Sequence, residues 1–433
     1  MYTTHIENIY PGVALTCVIT DKFKTGSLSV SFVTGLERND AALSALLPRV
    51  LRRGCEGHTD IFQISSALDN LYGARIEPII RKKGELHCIG FYCDFPDDRY
   101  LPHGGIFEKT AELLGRILLS PDMHGAYLRS DYVDSEKTVL IDDIHAAINE
   151  KSGYVIDRLV KEMCSDEAFG VNKLGGESEV LAVTPETLTA HHRKLLSCSP
   201  IEIFYCGIAE PERVEQAVRS SLNTLPTRSI LEAPATHVIS KPFRDTPRIF
   251  SEELDISQGK LAIGYRLGRE PRKPLDFPAL MVFNSIFGSG ANSKLFLNVR
   301  EKLSLCYYIS SVIERHKEIL IVSSGVDFAM FDKATDEINN QLNCIKNGDF
   351  SRTDLATAKC MVVSAFKAAF DRPEGLEGLY FDSRIASSPY DPVLLCEKVD
   401  EVTDGDIVTL ASGIMTDSIF CLTGRKGDAD NEA

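Results

Sequence analysis

Side chains able to ligate a metal or act as nucleophiles are plentiful in this sequence and badly spaced for either task. A helical zinc site needs two histidines at i and i+4, which share one face. Among ten histidines no pair stands four apart. His191 and His192 are adjacent and diverge on a helix, His145 is alone among apolar neighbours, and His58 lies in the run Cys55-Glu56-Gly57-His58. The twelve cysteines include no C-x-x-C pair, and Cys17, Cys93, Cys206 and Cys421 sit in apolar runs. They read as reduced, buried thiols. No Ser–His–Asp or Cys–His set can be specified from spacing, so a stand-alone enzyme with such chemistry ranks last. The glycine-rich run Gly288-Ser289-Gly290-Ala291-Asn292-Ser293 lacks the lysine of a phosphate loop. A plain turn and a substrate-contacting loop both remain open for it.

The elements that must position any site form a repeat. Gly26 and Gly35 bracket the alternating run Ser27–Thr34, and an apolar segment from Ala41 to Leu51 follows and stops at Gly54. The plan returns about 233 residues later: Gly259 and Gly268 bracket Lys260–Leu267, and Phe277 to Phe287 stops at Gly288. Two homologous halves are expected. A hairpin is expected over 74–94, turning at Lys82-Lys83-Gly84-Glu85. Helices are expected over Ile106–Leu119, over Ser135–Cys164 with a break near Ser152-Gly153, from Pro185 with Thr184 as its cap, and over 331–346 and 352–370. Residues about 225–245 carry Pro226, Pro234 and Pro242 and little periodicity, which marks a linker. Strands followed by groups of helices, twice, point to α+β domains with helices covering a sheet face.

A chain of 433 residues is too long for one core. Its 44% apolar and 25% charged content is that of an ordinary globular protein. A net charge of -15 disfavours nonspecific nucleic-acid binding, which needs clustered Lys and Arg. The N-terminal residues show neither a basic region nor an apolar core of a secretory signal, and no apolar run approaches the roughly 18 residues needed to span a bilayer. A cytoplasmic location is expected.

The run Leu46-Leu47-Pro48-Arg49-Val50-Leu51-Arg52-Arg53-Gly54, followed by Leu68-Asp69-Asn70-Leu71-Tyr72-Gly73-Ala74 and Lys82-Lys83-Gly84-Glu85, resembles the M16 (insulinase-like) metallopeptidases. Within them it is similar to the non-catalytic member of a Gram-positive bacterial pair associated with elongation factor P modification. The resemblance implies two homologous α+β domains, each a mainly antiparallel sheet covered by helices, forming a half-clamshell. Residues 1–225 would form the first domain, 226–245 the linker, 246–427 the second domain and 428–433 a disordered tail.

Active members carry H-x-x-E-H on a helix, two zinc ligands and the base that activates the metal-bound water. Aligned on the downstream glycine, this chain has Ala45, Pro48 and Arg49 there. Alanine cannot ligate, proline cannot act as a base, and arginine brings a fixed positive charge where a cation would sit. Pro48 also implies a kink or a late helix start. The family's third ligand, a Glu on a later helix, falls near Asp134 or Glu136, and one carboxylate cannot hold catalytic zinc. No metal is expected in this chain.

A second family segment is retained. Leu295-Phe296-Leu297-Asn298-Val299-Arg300-Glu301-Lys302-Leu303-Ser304-Leu305-Cys306-Tyr307 is similar to the family's "LF-x-x-V-R-E-x-x-G-L-x-Y", with Ser304 in place of the glycine. By resemblance, Arg300 and Tyr307 bind substrate carbonyls in the transition state; the competing reading has Arg300 in a structural salt bridge and Tyr307 in the core. Zinc without the pair and the pair without zinc are complementary. The resemblance thus implies a non-catalytic subunit of a heterodimeric peptidase, inactive alone, whose partner is a zinc-bearing paralogue and whose substrate is an unfolded peptide. The alternative is a non-proteolytic protein- or peptide-binding scaffold, connected with elongation factor P modification.

Overall fold

The structure, a computed structural model, describes residues 2–229, 234–268, 276–386 and 392–424. The expected tail at 428–433 and residues 230–233 of the expected linker lie outside them. The rest of that linker carries no strand or helix before Arg248. The chain forms two compact units. The first comprises Met1–His145, Val171–Ala235 and Ala369–Ile385; the second comprises Ala146–Gly170, Thr236–Ala368 and Ala386–Ala433. They differ from a contiguous division at two places, because residues 146–170 belong with the second unit and 369–385 with the first.

In the first unit the strands of the main sheet are β1 (Thr3–Tyr10), β2 (Val13–Ile19), β3 (Thr25–Gly35), β4 (Arg75–Lys83), β5 (Leu86–Pro96) and β6 (Ile201–Gly207). They form one sheet in the order β1-β2-β6-β3-β5-β4. Every neighbouring pair is antiparallel except β2 and β6. The alternation of β3 sorts its side chains between two faces. Leu28, Val30 and Phe32 enter the core shared with helix α1 (Arg38–Leu51). On the other face, Ser29 hydrogen-bonds Glu377 of the helix Pro373–Ile385. Two further helices frame the site described below: α2 (Ser130–Ala146) and α3 (Pro185–Cys198). The latter opens at a capping box between Thr184 and Thr187, with Pro185 at its first position.

The second unit's strands are β7 (Arg248–Leu254), β8 (Gly259–Arg266), β9 (Cys306–Glu314), β10 (Ile319–Val326) and β11 (Met415–Gly424), in the order β9-β10-β8-β11-β7. The pair β11–β7 is parallel and the rest antiparallel. With β1 set aside, the two sheets share one topology. β8 holds the place of β3, each is followed by a buried helix (α1 and α4, Asp276–Phe287), and the one parallel pair recurs in the same position. The glycine-bracketed repeat therefore marks equivalent elements. Gly268 shows why one bracket is glycine: its φ is +69°, and a Cβ there would collide with the Gly413 carbonyl.

The helical stretch expected over 135–164 is two helices. α2 ends at Ala146, a short turn follows, and Glu150 caps the helix Lys151–Met163. The chain passes from the first unit to the second at this break. Val155, Leu159 and Met163 then recur at helical spacing and pack on Ala262, Ile321, Phe420 and Leu422 of the second sheet. Gly264 leaves the space that the Met163 sulfur fills.

Candidate functional site

Helix α1 carries the positions where a zinc motif would lie. Ala45 is fully buried in the core and Ser44 beside it is equally closed. Pro48 neither delays the helix nor ends it at once. The helix starts at Arg38 and runs to Leu51, and the Arg52 amide bonds the Pro48 carbonyl at 3.2 Å. What proline removes is one amide, the donor to the Ser44 carbonyl.

Arg49 reaches α2 and pairs with Asp143 at 2.7 Å. One turn further on, Arg53 pairs with Glu136 at 3.2 Å. Burial raises the pKa of Glu136, and the nearby guanidiniums of Arg53 and Arg49 oppose that rise. Asp134 is exposed. The carboxylate paired with the residue at the second ligand position is Asp143, which sequence reasoning misses; Glu136 pairs with Arg53 and lies near Arg49 as well. Glu136 and Asp143 are seven residues apart and share a helix face, so spacing alone does not separate them. The residues here do not fit zinc. Two arginines supply positive charge, Ala45 and Pro48 supply no donor, and no group of three His, Cys, Asp or Glu among the described residues is arranged for a metal.

The histidines near the old motif and on its neighbouring helices are placed by the fold. His58 closes a tight turn with Cys55 through two backbone hydrogen bonds. His145 meets Glu177 at 2.8 Å on the surface, and His192 donates to the Leu118 carbonyl. His191 is more suggestive. Its Nε2 lies 2.9 Å from the Ser44 hydroxyl and its Nδ1 4.0 Å from Asp40. The sequence hides this Asp40–His191–Ser44 line, because its members come from α1 and α3, far apart in the chain. It is not a nucleophilic triad. Ser44 is closed to solvent, the Asp–His separation is too long for a hydrogen bond, and Asp40 is engaged by Lys194 at 2.9 Å. Burial keeps His191 neutral, with its pKa pushed down to about 4. His87 is held near 4 by its burial as well.

The retained Arg–Tyr segment lies in the second unit, where three departures from regular structure follow one another. Leu295–Lys302 is a wide, π-type helical stretch. Ser304 has a left-handed backbone at φ 51°. The register of β9 on β10 then slips between Cys306 and Tyr308, leaving Tyr307 at a bulge on an edge strand. Leu295 and Val299 anchor the stretch in the core, and the Asn298 amide donates to Gln341 at 2.9 Å. The apolar frame of the motif is thus the anchor, and it turns the polar residues outward.

Tyr307 is 64% exposed and is not packed in the core. Its hydroxyl has no hydrogen-bond partner among the described residues. Arg300 lies over the Phe296 ring at 4.7 Å, and among the described residues its one ion pair is with neighbouring Glu301 at 3.5 Å, both side chains being substantially exposed. Such a pair contributes little to stability. The glycine-rich run before it is a structured turn. Ser293 bonds the Gly290 carbonyl and accepts from the Phe296 amide, capping the stretch that bears Arg300.

Two sheet-and-helix units of one topology, a zinc-motif helix without ligands in the first and an Arg–Tyr segment in the second define the class: the chain belongs to the M16 peptidase family, among members without a working zinc motif. Residues 182–361 match the family model described as "Peptidase M16 inactive domain". The "Probable inactive metalloprotease YmfF" of Bacillus subtilis is 32% identical over 427 residues, covering 98% of this chain and 99% of that one. An "uncharacterized zinc protease" of Streptomyces coelicolor is 24% identical over 43% of this chain and 41% of its own length. Among solved structures, a conserved protein from Enterococcus faecalis superposes with a TM-score of 0.87 at 23% identity, covering 98% of this chain and 99% of its own. A protease from Helicobacter pylori does so with a TM-score of 0.80 at 13% identity over the same shares. Among the described residues no helix is long and apolar enough to cross a membrane.

Proposed function

We propose that this chain is the non-catalytic subunit of a two-chain M16 peptidase. It binds an unfolded peptide and lends Arg300 and Tyr307 to carbonyls under attack at the zinc of a separate, H-x-x-E-H-bearing partner, in the cytoplasm. The carrying observation is the segment 295–307. A π-type stretch, a left-handed serine and a bulge all end in an outward tyrosine and a weakly paired arginine. Irregularities of this kind cluster at functional sites. An exposed Tyr hydroxyl and guanidinium can hydrogen-bond a carbonyl oxygen as negative charge develops on it.

Removing one such donor typically lowers turnover about 10²–10³-fold. Arg300→Ala and Tyr307→Phe should each do so in the mixture of this chain with the zinc-bearing paralogue encoded beside it, read by cleavage of a peptide library. Circular dichroism should show both variants folded. A paralogue that cleaves equally well alone, or variants that leave the pair at full activity, refutes the proposal. Loss of all three motif positions, Ala45, Pro48 and Arg49, favours a second reading: a protein- or peptide-binding scaffold with no proteolytic role, connected with elongation factor P modification. In that case a peptide or protein still binds and Arg300 and Tyr307 are dispensable.

A further inference from the structure

Helix α1 and helix α2 face one another through a ladder of two rungs. On α1 and its exit, Ala45, Arg49 and Arg53 fall at i, i+4 and i+8, one stripe of a helix. On α2, Glu136 and Asp143 are two turns apart on one face. Arg49 meets Asp143 at 2.7 Å and Arg53 meets Glu136 at 3.2 Å. The numbers rise on one helix as they fall on the other, so the two helices run antiparallel at these contacts.

We infer that the Arg49 guanidinium has taken the place of the metal ion and that Asp143 is the carboxylate that once faced it. The inference rests on membership of the family and on this geometry, and is independent of any role for Arg300 and Tyr307. A zinc ion must be brought within about 2.0–2.2 Å of each ligand oxygen and needs at least three protein ligands. A guanidinium carries its charge on a covalent tether and holds a carboxylate at ordinary hydrogen-bond distance. Once arginine stands at the second ligand position, the first needs no donor. Ala45 there is small and buried in the core. The position between them needs no base, and it is a proline. Arg53 and Glu136 form the second rung, so the two carboxylates of the α2 face are each met by a fixed cation. The old metal position has become a clasp between two helices of the first unit.

Two experiments test this. In the first, Arg49→Ala, Asp143→Ala and the double variant are compared by thermal unfolding. Each single variant should lower Tm, and the double variant should fall no further than Arg49→Ala alone, because the pair acts as a unit. The exposed Arg75–Asp94 pair is the control and should show near-zero change. Losses that simply add, or that match the control, overturn the inference. In the second, Ala45→His with Arg49→His supplies two imidazoles and frees Asp143, and zinc alone is offered in equilibrium dialysis. Stoichiometric zinc should bind, be lost on adding Asp143→Asn, and persist on adding Glu136→Gln. A folded variant that takes up no zinc, or one that loses it with Glu136→Gln and keeps it with Asp143→Asn, overturns the assignment. Should the Ala45→His change prevent folding, the first experiment decides.

Discussion

Replacing Glu167 with glutamine should be among the most destabilising single changes in the second unit. Its carboxylate lies 2.5 Å from Arg266 and 2.6 Å from Lys317, and both cationic side chains are 0% exposed. Asp417 accepts from Arg266 and from Arg248, both at 3.0 Å. Arg248 and Arg266 also donate to the Met163 carbonyl. The network thus ties the end of the helix Lys151–Met163 and the segment after it to β7, β8 and β11. Burying such ions is costly, and the intact set is worth little net stability. Removing one partner leaves buried positive charge under-compensated, which typically costs about 3–5 kcal/mol. At about 2–4 °C per kcal/mol for a domain of this size, Glu167→Gln should lower Tm by roughly 6–20 °C. Urea unfolding should show the loss, and hydrogen exchange should place it at residues 146–170. A change under about 1 kcal/mol, the range of an exposed pair, would refute the reasoning.

The same network gives a sign for pH. Burial alone would raise the pKa of Glu167, but hydrogen bonds from Arg266 and Lys317 outweigh it and hold the carboxyl below its ordinary value of 4.5. Asp417 is likewise held below its ordinary 3.8, against its own burial, by Ser418, Arg266 and Arg248. The unfolded chain therefore binds more protons in this range. The stabilisation is present above the ordinary carboxylate pKa values and is lost as pH falls through the depressed ones. Acid titration of Glu167→Gln should be flatter than that of the unaltered chain below about pH 4.5. Two further outcomes follow from single residues. Ser304 holds a left-handed backbone, which costs an L-residue roughly 1–2 kcal/mol; glycine relieves this but adds disorder to the unfolded chain. Ser304→Gly should therefore be between neutral and about 1 kcal/mol stabilising, read by urea unfolding, and a clear destabilisation would contradict the backbone assignment. Cys360 is exposed, whereas Cys17 is buried and its thiol is pushed up to about 12 by that burial and by Glu7 and Glu215. Maleimide labelling of the native chain should show a fast phase abolished by Cys360→Ser, with Cys17 reacting only after unfolding.

How much of this is legible in the sequence depends on how local the signal is. Period-two alternation between glycines locates β3 and β8, and the equivalence of the two sheets follows from their repetition. Helix Ile106–Leu119 is legible to the residue from its apolar spacing. The break between α2 and the next helix falls a few residues before its expected place, because Ser152-Gly153 looks like a breaker and Glu150, the true cap, does not. The passage of residues 146–170 and 369–385 to the other unit has no local signature. For 146–170 it depends on which sheet offers the helix Lys151–Met163 an apolar face and paired charges for Glu167. Asp143 escapes for a similar reason: on a helix face with two acids, only the third dimension says which one meets Arg49.

The two motif regions have changed in opposite ways, and the difference bears on function. At α1 two of the three replaced positions have a packing or pairing explanation: Ala45 fills the core and Arg49 is neutralised by Asp143. Segment 295–307 is the reverse. Its apolar frame is anchored, yet the frame ends in a strained serine, a bulge and a tyrosine whose hydroxyl serves no fold contact among the described residues. These irregularities support the proposal that segment 295–307 meets a ligand, and the Arg49–Asp143 pair supports the inference that α1 carries an ion pair where the family's motif would hold zinc.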